Sequence, residues 1–113
     1  MRKGEIWLVR LDPTVGDEIG KTRPAVVVSD DEVGNLRLKV IVPITAWNDL
    51  FSPLQWMVQL QPTSENGLAK VSAADCFQVR SISQQRFSRQ LGTISETIME
   101  EIAESLIIVL DLD

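Results

Sequence analysis

Three polar side chains that together could bind and cleave a phosphate ester lie next to predicted apolar strands. Glu18 and Arg23 lie in one polar, glycine-bearing loop, GDEIGKTRP, which runs straight into the apolar run AVVV. Thr45 directly follows the letters VPI at the end of another apolar run. Arginine binds phosphate through a planar fork of donors and stays charged at every relevant pH. A threonine hydroxyl can donate to a phosphate oxygen, and a loop carboxylate can accept a proton.

This combination suits cleavage of an RNA phosphodiester, in which the 2′-hydroxyl is an internal nucleophile. Such a reaction needs positioning, charge stabilisation and proton transfer, and in principle it needs no metal. Gln78 and Arg80, in a later predicted strand, are two further polar side chains that stand out. Pro24 restricts the backbone at Arg23, so the guanidinium starts from a rigid edge.

Each of these residues also has a structural interpretation. Arg23 could pair with Glu18 or Asp17, and from the residues alone this ion pair is slightly favoured. Thr45 could simply end a strand, and Gln78 could satisfy backbone groups in a sheet. Composition and spacing alone therefore indicate only a small β-barrel with a possible anion site.

The absence of histidine limits the chemistry further. Histidine is the usual acid or base near neutral pH, so any catalysis must use carboxylates, hydroxyls, arginine, lysine or the single thiol of Cys76. That thiol has no base partner in the sequence and is expected to be a small buried apolar group. One cysteine allows no internal disulfide and argues against a zinc site, so we expect neither metal nor cofactor.

The net charge of −5 is unevenly distributed along the chain. From Ser95 onward there are six acids and no base, which leaves eleven bases against ten acids in the rest. The acidic tail is best explained as a solvated helix face, and a cationic groove elsewhere remains compatible with the composition. No segment has signal-peptide character or membrane-spanning length, so we expect a cytoplasmic protein and no membrane partner.

The elements that would position these residues are mostly short strands. We predict strands over EIWLVRL, AVVVS, LRLKVIVPIT and LQWMVQLQP, with one or two more in LAKVSAADCFQVRSIS. SQQRFSRQ is predicted to form a helical turn. SETIMEEIAESLIIVLD is predicted to form a helix with Ser95 as N-cap. Its predicted apolar face consists of Ile98, Ile102, Leu106 and Val109 at helical spacing, joined by Ala103 and Leu110. The prediction is one domain over residues 1–113, mainly β with α, built as a strongly bent antiparallel barrel.

Three blocks of this sequence closely resemble the MazF/PemK/Kid family, the toxins of type II toxin–antitoxin modules. They are GEIWLVRLDPTVGDEIGKTRPAVVVS, VIVPIT and FQVRSIS, and the match extends to about Phe87. The first block is very specific, because the G-E-I-W opening, the D-P-T-x-G-x-E loop and the R-P-A-V-V strand entry occur in order. The carboxyl-terminal helix matches in type rather than in letters.

The resemblance implies a compact SH3-like antiparallel barrel with a C-terminal helix, a fold shared with CcdB toxins, and a symmetric homodimer. It implies a metal-independent, sequence-specific endoribonuclease that cleaves single-stranded mRNA, leaves a 2′,3′-cyclic phosphate and arrests growth. A cognate MazE-like antitoxin is expected to lay an acidic tail in the RNA groove. The alternative is a non-catalytic CcdB-like toxin or an interaction module of the same fold.

The resemblance also suggests roles for individual residues. Arg23 matches the family's catalytic arginine, Thr45 its catalytic Thr/Ser position, and Glu18 a loop acid that serves as base or orienter. Gln78 matches a glutamine near the site. Arg80, Lys21 and Trp47 complete the RNA-binding candidates; Trp47 is included because single-stranded bases stack on aromatic planes.

Two positions depart from the Kid branch, which carries an acid and an arginine that serve cleavage. Phe77 stands where that branch has the aspartate, and Asp75 stands where it has the arginine. The Kid-like acid–base arrangement therefore does not transfer, whereas the simpler pattern of arginine and threonine does. Recognition of the RNA sequence is expected to depend on two loops, Asp30–Asn35 and Ala46–Pro53.

Overall fold

A computed structural model describes residues 1–34 and 37–112. These described residues form seven strands, three single-turn 3₁₀ helices and one α-helix. The strands are β1 (Glu5–Arg10), β2 (Thr22–Val27), β3 (Leu38–Ala46), β4 (Met57–Leu60), β5 (Ser72–Asp75), β6 (Arg80–Ser83) and β7 (Phe87–Thr93). The 3₁₀ turns are Asp49–Phe51, Cys76–Gln78 and Gln84–Arg86, and the helix α1 is Glu96–Leu110.

The strands form one antiparallel sheet in the order β4-β5-β3-β2-β1-β7, and β6 also pairs with β3. β3 is long enough to have three partners: its first half pairs with β6, its middle with β2 and its end with β5. Pro43, predicted to mark a bulge or a strand end, lies inside β3 near the change of partner. Within the described residues no ladder joins β7 to β4, so closure into a barrel is not detected.

Apolar side chains cover both faces of the central strands, as the run AVVV predicts. One face carries Ile6, Val26, Val42 and Ile44 and is covered by α1 through Ile102. The opposite face carries a second cluster, consisting of Val9, Leu11, Ala25, Val27, Ile41, Ile82 and Phe87. Ala25, Val26 and Val27 are all fully buried, because β2 lies between β1 and β3 and alternates its side chains between two cores.

The helix begins where the sequence predicts, since the Ser95 hydroxyl accepts a hydrogen bond from the Ile98 N–H at 3.2 Å. Its inward face is formed by Ile98, Ile102, Leu106 and Val109, as predicted. The inclusion of Ala103 and Leu110 is wrong, because both are exposed. Each follows a core residue by one position, and one residue turns a helix by about 100°.

Two predicted elements differ from the structure. The stretch FQVR was predicted as strand, yet its first half is the 3₁₀ turn Cys76–Gln78, which the Asp75 carboxylate caps by accepting the Phe77 N–H at 3.1 Å. SQQRFSRQ was predicted as a helical turn, yet only Gln84–Arg86 is helical and β7 follows at once. Both differences arise because pairing and capping partners lie outside the segment itself. Of the loop Asp30–Asn35, Asn35 lies outside the described residues.

Candidate active site

Sheet register brings Arg23, Thr45 and Arg80 onto one face. β2 and β3 pair Ala25 with Pro43, and continuing two residues along each strand aligns Arg23 with Thr45. β6 and β3 pair Arg80 with Ile41, which lies two pairs further along β3 from Thr45. Directly paired residues share a face, as do residues two apart on one strand. Two guanidinium groups and a hydroxyl therefore lie at the rim of the second apolar cluster.

Arg23 is the side chain with the clearest unused hydrogen-bonding capacity. Its Nε is buried and has no hydrogen-bond partner among the described residues. No carboxylate of the described residues pairs with its guanidinium, so the structure does not form the ion pair with Glu18 or Asp17 that the residues alone slightly favoured. A buried donor without a partner is costly and uncommon, because it has lost water and gained nothing in return. An anion that accepts from this edge of the guanidinium would remove that cost.

Thr45 is half-buried, and the extended register of β2 and β3 places it on the same sheet face as Arg23. Its backbone belongs to the ladder with β5, where it pairs with Ala73. Among the described residues, no partner satisfies its hydroxyl. The position therefore does end the apolar run, as the structural interpretation held, and it also leaves a free donor on the face that carries Arg23.

The loop between β1 and β2 crosses above this face and is held closed at its base. The Leu11 N–H donates to the Lys21 carbonyl at 2.8 Å, and Lys21 adopts a positive φ of 63°. Gly20 allows the loop to fold on itself, since a Cβ there would lie 2.5 Å from the Asp12 Oδ1. The Lys21 side chain is exposed at the end of this loop.

Gln78 is the main anchor of this loop. Its Oε1 accepts the Ile19 N–H at 2.6 Å, and its Nε2 donates at 3.2 Å to the Asp17 carbonyl and to the Asp75 carboxylate. All of its usual hydrogen-bonding capacity on the nitrogen is thereby engaged. The structure therefore gives Gln78 a positioning contact across the chain rather than the satisfaction of backbone groups within a sheet.

Two arginines hold the entry to the same loop. Arg80 Nη1 donates to the Leu11 carbonyl at 3.4 Å. Arg86 Nη1 donates to the carbonyls of Arg10 at 2.9 Å and Asp12 at 2.7 Å. Sequence reasoning missed Arg86, because its partners are more than seventy residues away and nothing in the local pattern of SQQRFSRQ indicates them.

Glu18 lies in the loop with its carboxylate exposed. It accepts the Val15 N–H at 2.6 Å, which fixes it within the loop turn. One carboxylate oxygen has further lone pairs free, and the second oxygen remains available to a substrate proton. The geometry is compatible with the predicted role as base or orienter, and it removes the third possibility of an ion pair with Arg23.

Asp75 and Cys76 are both buried, and Cys76 belongs to the core cluster that α1 covers. Asp75 is 5% exposed, so its carboxylate does not project into the groove where it would repel phosphate. Burial raises the pKa of Asp75, and hydrogen bonds from Phe77 and Gln78 oppose that shift. Burial, with a smaller contribution from the Asp75 charge, raises the pKa of the Cys76 thiol to about 12. The thiol is thus an unreactive core group, as the sequence predicts.

Trp47 lies after Thr45 and is half-buried. Its indole N–H donates to the Asp49 carboxylate at 3.1 Å, and its ring meets Phe51 edge-on with centroids 5.7 Å apart. These contacts pin the indole within its own loop, so the part available to a base is the remaining ring surface. Trp47 and Phe51 therefore form a packed pair within the loop Ala46–Pro53, and the expected contact of Trp47 with RNA stays a prediction.

A cleft of about 500 Å³ opens between the β1–β2 loop and the 3₁₀ turn. We call it the loop cleft, and its lining residues are Asp17, Glu18, Phe77, Gln78, Val79 and Arg80. Phe77 is 66% exposed there, and its ring packs against Trp56 with centroids 5.9 Å apart. The sequence marked Phe77 only as a departure from a pattern, since its exposure depends on the turn that replaces the predicted strand.

Neither a metal-binding cluster nor a membrane-spanning helix occurs in residues 1–34 and 37–112. No group of three His, Cys, Asp or Glu side chains in this part of the chain is arranged to hold a metal ion. The described helices include none long and apolar enough to cross a bilayer.

Comparison with known proteins identifies the class to which this fold and this site belong. Residues 2–110 match the family described as PemK-like, MazF-like toxins of type II toxin–antitoxin systems. The fold is similar to that of MazF from Deinococcus radiodurans, with a TM-score of 0.81, 23% identity and coverage of 99% of this chain and 97% of that one.

Individual relatives are similar over nearly the whole chain. Endoribonuclease MazF9 of Mycobacterium tuberculosis is 36% identical over 99% of this chain and 98% of its own length. Endoribonuclease PemK of Escherichia coli is 36% identical over 90% of this chain and 76% of its own length. The chain therefore belongs to the PemK/MazF family of type II toxin–antitoxin toxins, the family of these endoribonucleases. The expected mainly antiparallel fold with one C-terminal helix is confirmed.

Proposed function

We propose that this protein is a metal-independent, sequence-specific endoribonuclease toxin that cleaves single-stranded mRNA in the cytoplasm and so arrests growth. The observation that carries the proposal is the buried, unpartnered Nε of Arg23, on the same sheet face as the free hydroxyl of Thr45. An anion with several acceptor oxygens matches this pair of donors. Membership of a family with endoribonuclease relatives makes RNA phosphate the anion to test first.

The proposed reaction is an internal transfer at phosphorus. The 2′-oxygen forms a bond to phosphorus while the bond from phosphorus to the 5′-oxygen breaks, which yields a 2′,3′-cyclic phosphate and a 5′-hydroxyl end. The Glu18 carboxylate accepts the 2′-hydroxyl proton, and water protonates the departing 5′-oxygen. Arginine stays charged at all relevant pH, so Arg23 neutralises the developing negative charge rather than supplying that proton.

Thr45 and Arg80 complete the phosphate contacts in this proposal. The Thr45 hydroxyl donates to a non-bridging oxygen. The Arg80 guanidinium makes one long contact within the described part of the chain, to the Leu11 carbonyl, and it attracts a neighbouring phosphate. Lys21 adds positive charge at the loop end. Gln78 acts as a positioning residue, because its hydrogen bonds hold the loop that carries Glu18.

A homodimer is part of the proposal. The end of α1 exposes Ile107, Ile108, Leu110 and Leu112 by 45–55% each, which is unusual for the last turns of a helix that faces only water. A second copy of this chain, related by a twofold axis, would cover this strip. Sedimentation at micromolar concentration should give the dimer mass, and Ile108→Asp should shift it toward the monomer. A wild-type monomer would contradict this part.

A MazE-like antitoxin is the proposed protein partner. Solved structures titled as MazE–MazF of Deinococcus radiodurans are similar to this chain, one of them with a TM-score of 0.75 and 22% identity over 100% of this chain and 97% of that one. An acidic peptide tail would compete with RNA for the face that carries Arg23 and Arg80. Its affinity should therefore fall as salt rises, because charge attraction is screened.

The central experiment incubates the purified protein with a long RNA in EDTA and maps the cut ends. Wild type should cleave at recurring short sequences and leave cyclic phosphate ends. Arg23→Ala should lose about 100-fold or more in rate, the usual cost of removing a donor that stabilises charge in the transition state. Arg89→Ala, an exposed arginine on β7, is the matched control and should cleave like wild type. Intact RNA with wild type, or equal cleavage by Arg23→Ala, would sink the proposal.

A further inference from the structure

We propose that the loop cleft is a nucleobase subsite in which Phe77 is the stacking platform and the Asp17 carboxylate reads an amino-bearing base, guanine above all. The proposal rests on the proposed ribonuclease function and adds a determinant of its sequence preference. It goes beyond the two loops, Asp30–Asn35 and Ala46–Pro53, in which sequence recognition was expected.

Phe77 is presented to solvent by a rigid turn. Its N–H is fixed by the Asp75 carboxylate, and the turn closes with the Val79 N–H donating to the Cys76 carbonyl at 3.3 Å. The turn is also tied to the strand side, since the Cys76 N–H donates to the Trp56 carbonyl at 2.9 Å. Trp56 supports the Phe77 ring at one side and leaves 66% of the residue exposed. A fixed, exposed aromatic ring is the feature on which unpaired bases stack.

The polar lining of the cleft favours a base over a phosphate. Two acidic residues, Asp17 and Glu18, line it beside Arg80, and this excess of negative charge disfavours a phosphate inside the cleft. The Asp17 carboxylate has no partner among the described residues, whereas Glu18 accepts the Val15 N–H and Gln78 is fully engaged. Among the described residues that line the cleft, Asp17 is therefore the carboxylate with both oxygens free, whereas one oxygen of Glu18 is already engaged.

The chemistry of that acceptor selects the base. Guanine offers an N1–H and an N2 amino group side by side, and these match the two oxygens of one carboxylate. Adenine and cytosine offer one amino group each beside an acceptor nitrogen, whereas uracil offers a single N3–H between two carbonyl oxygens. A carboxylate accepts only, so it attracts guanine most and is repelled by the carbonyl oxygens of uracil.

Arg80 links this subsite to the proposed phosphate site. It lines the loop cleft, and it also lies on the sheet face that carries Arg23 and Thr45. An RNA strand with its scissile phosphate at Arg23 could therefore reach the cleft with a nearby nucleotide and contact Arg80 in between. This continuity makes the cleft part of a strand path rather than an isolated depression.

The cleavage test uses an RNA library randomised around the cut site and five proteins, which are wild type and four variants. Wild type should prefer an amino-bearing base at one flanking position. Phe77→Ala should flatten that preference and lower kcat/KM by roughly tenfold, which is within the range for loss of one stacked base. Phe77→Trp should keep both at the wild-type level. Asp17→Asn should lower kcat/KM at guanine-bearing sites and raise it at uracil-bearing sites, so that the preference between these two bases narrows. Leu38→Ala, an exposed apolar residue on β3, is the control and should change neither.

A binding test separates this inference from the proposed catalysis. Short 2′-O-methyl oligonucleotides of each base cannot be cleaved by the internal route, so their affinity reports the subsite alone. The guanine oligonucleotide should bind wild type most tightly and lose roughly tenfold with Phe77→Ala. Wild type that binds in this way but leaves RNA intact would overturn the proposed function and keep the subsite.

Three results would overturn the inference itself. Phe77→Ala that retains the wild-type base preference and rate excludes stacking. Equal binding of all four oligonucleotides excludes base selection by Asp17. If Phe77→Ala sediments as a monomer while wild type sediments as a dimer, the exposed ring belongs to the protomer interface and not to a base subsite.

Discussion

Two cavities of this protein differ in how their polar groups are engaged. The loop cleft and its adjoining sheet face hold a buried donor without a partner, a free hydroxyl and a free carboxylate. The second cavity, of about 350 Å³, lies between β4, the turn before β5, the end of β7 and the start of α1. We call it the turn cavity; among its lining residues are Gln59, Gln61, Thr63, Asn66, Ser95 and Ile98.

Two polar side chains of the turn cavity, those of Asn66 and Ser95, are engaged in holding the chain. Asn66 accepts the N–H groups of Thr63 and Leu68, both at 3.0 Å, and donates to the Gln61 carbonyl at 2.8 Å. Ser95 is occupied by capping α1. Concavity alone therefore does not identify a site in this protein. Unused hydrogen-bonding capacity does, because a ligand can then gain contacts that the protein itself leaves unmade.

After Arg23→Ala, the substitution Thr45→Val should cause the largest loss of cleavage at the proposed phosphate site. Valine keeps the shape of threonine but removes the hydroxyl that is proposed to bind a phosphate oxygen. Cleavage should fall by about tenfold to a hundredfold, the cost of losing a hydrogen bond to a charged group. Rates on a defined RNA substrate measure this directly. Unchanged cleavage would make Thr45 a strand end only.

Gln78→Leu tests whether the loop must be held in place. The substitution removes two hydrogen bonds that join the loop to the turn Cys76–Gln78, and a third between Gln78 and the Asp75 carboxylate. Cleavage should fall by roughly tenfold, and the Ile19 amide should exchange its hydrogen faster by a similar factor. Slower cleavage with unchanged exchange at Ile19 would show instead that Gln78 contacts the RNA.

Ser95→Ala tests the turn cavity. Loss of the N-cap should lower the free energy of unfolding by about 1 kcal/mol. Cleavage at a temperature well below the unfolding transition should stay within about twofold of wild type, since the N-terminus of α1 is not part of the proposed site. Urea titration and cleavage rates on the same preparation separate the two effects. A large loss of activity without loss of stability would assign function to this cavity.

Asp75→Asn should produce the smallest effect, one on the pH dependence of stability. Burial raises the pKa of Asp75, so the folded protein binds a proton more readily than the unfolded chain. In the window between the ordinary and the raised pKa, this group makes stability fall as pH rises. The stability of wild type relative to Asp75→Asn should therefore decline on going from about pH 3 to about pH 7. A constant difference would contradict the assigned direction.

Local patterns in the sequence predicted those parts of the fold whose causes are local. Ser95 caps α1 with a residue three positions away, and the apolar run after Pro24 forms the central strand because it is apolar on both faces. The turn at Phe77 and the strand β7 could not be predicted in this way. Their formation depends on a cap from Asp75 and on pairing with β1, and neither is indicated by the local patterns FQVR and SQQRFSRQ.

For the candidate site, too, some residues could be selected from the sequence and others only from the folded chain. Residue types and family resemblance selected Arg23 and Thr45, and their common sheet face follows once the register is known. The engagement of Gln78 with Ile19, across 59 residues, follows only from the folded chain. The exposure of Phe77 is likewise a property of the folded turn. The sequence thus predicted a site for phosphate. The structure was needed to distinguish side chains that hold the loop, such as Gln78, from side chains proposed to contact the RNA.

The central claim is that the unpartnered Nε–H of Arg23 binds a phosphate of the RNA. It is tested most directly by ¹H–¹⁵N NMR of this group. Its signal can be assigned as the one missing from Arg23→Lys. Titration with a single-stranded 2′-O-methyl oligonucleotide should shift this signal and slow its exchange with water, because the buried donor gains a phosphate acceptor. Binding that leaves the Arg23 Nε–H unchanged while other signals move would contradict the claim that this unpartnered donor is the phosphate site.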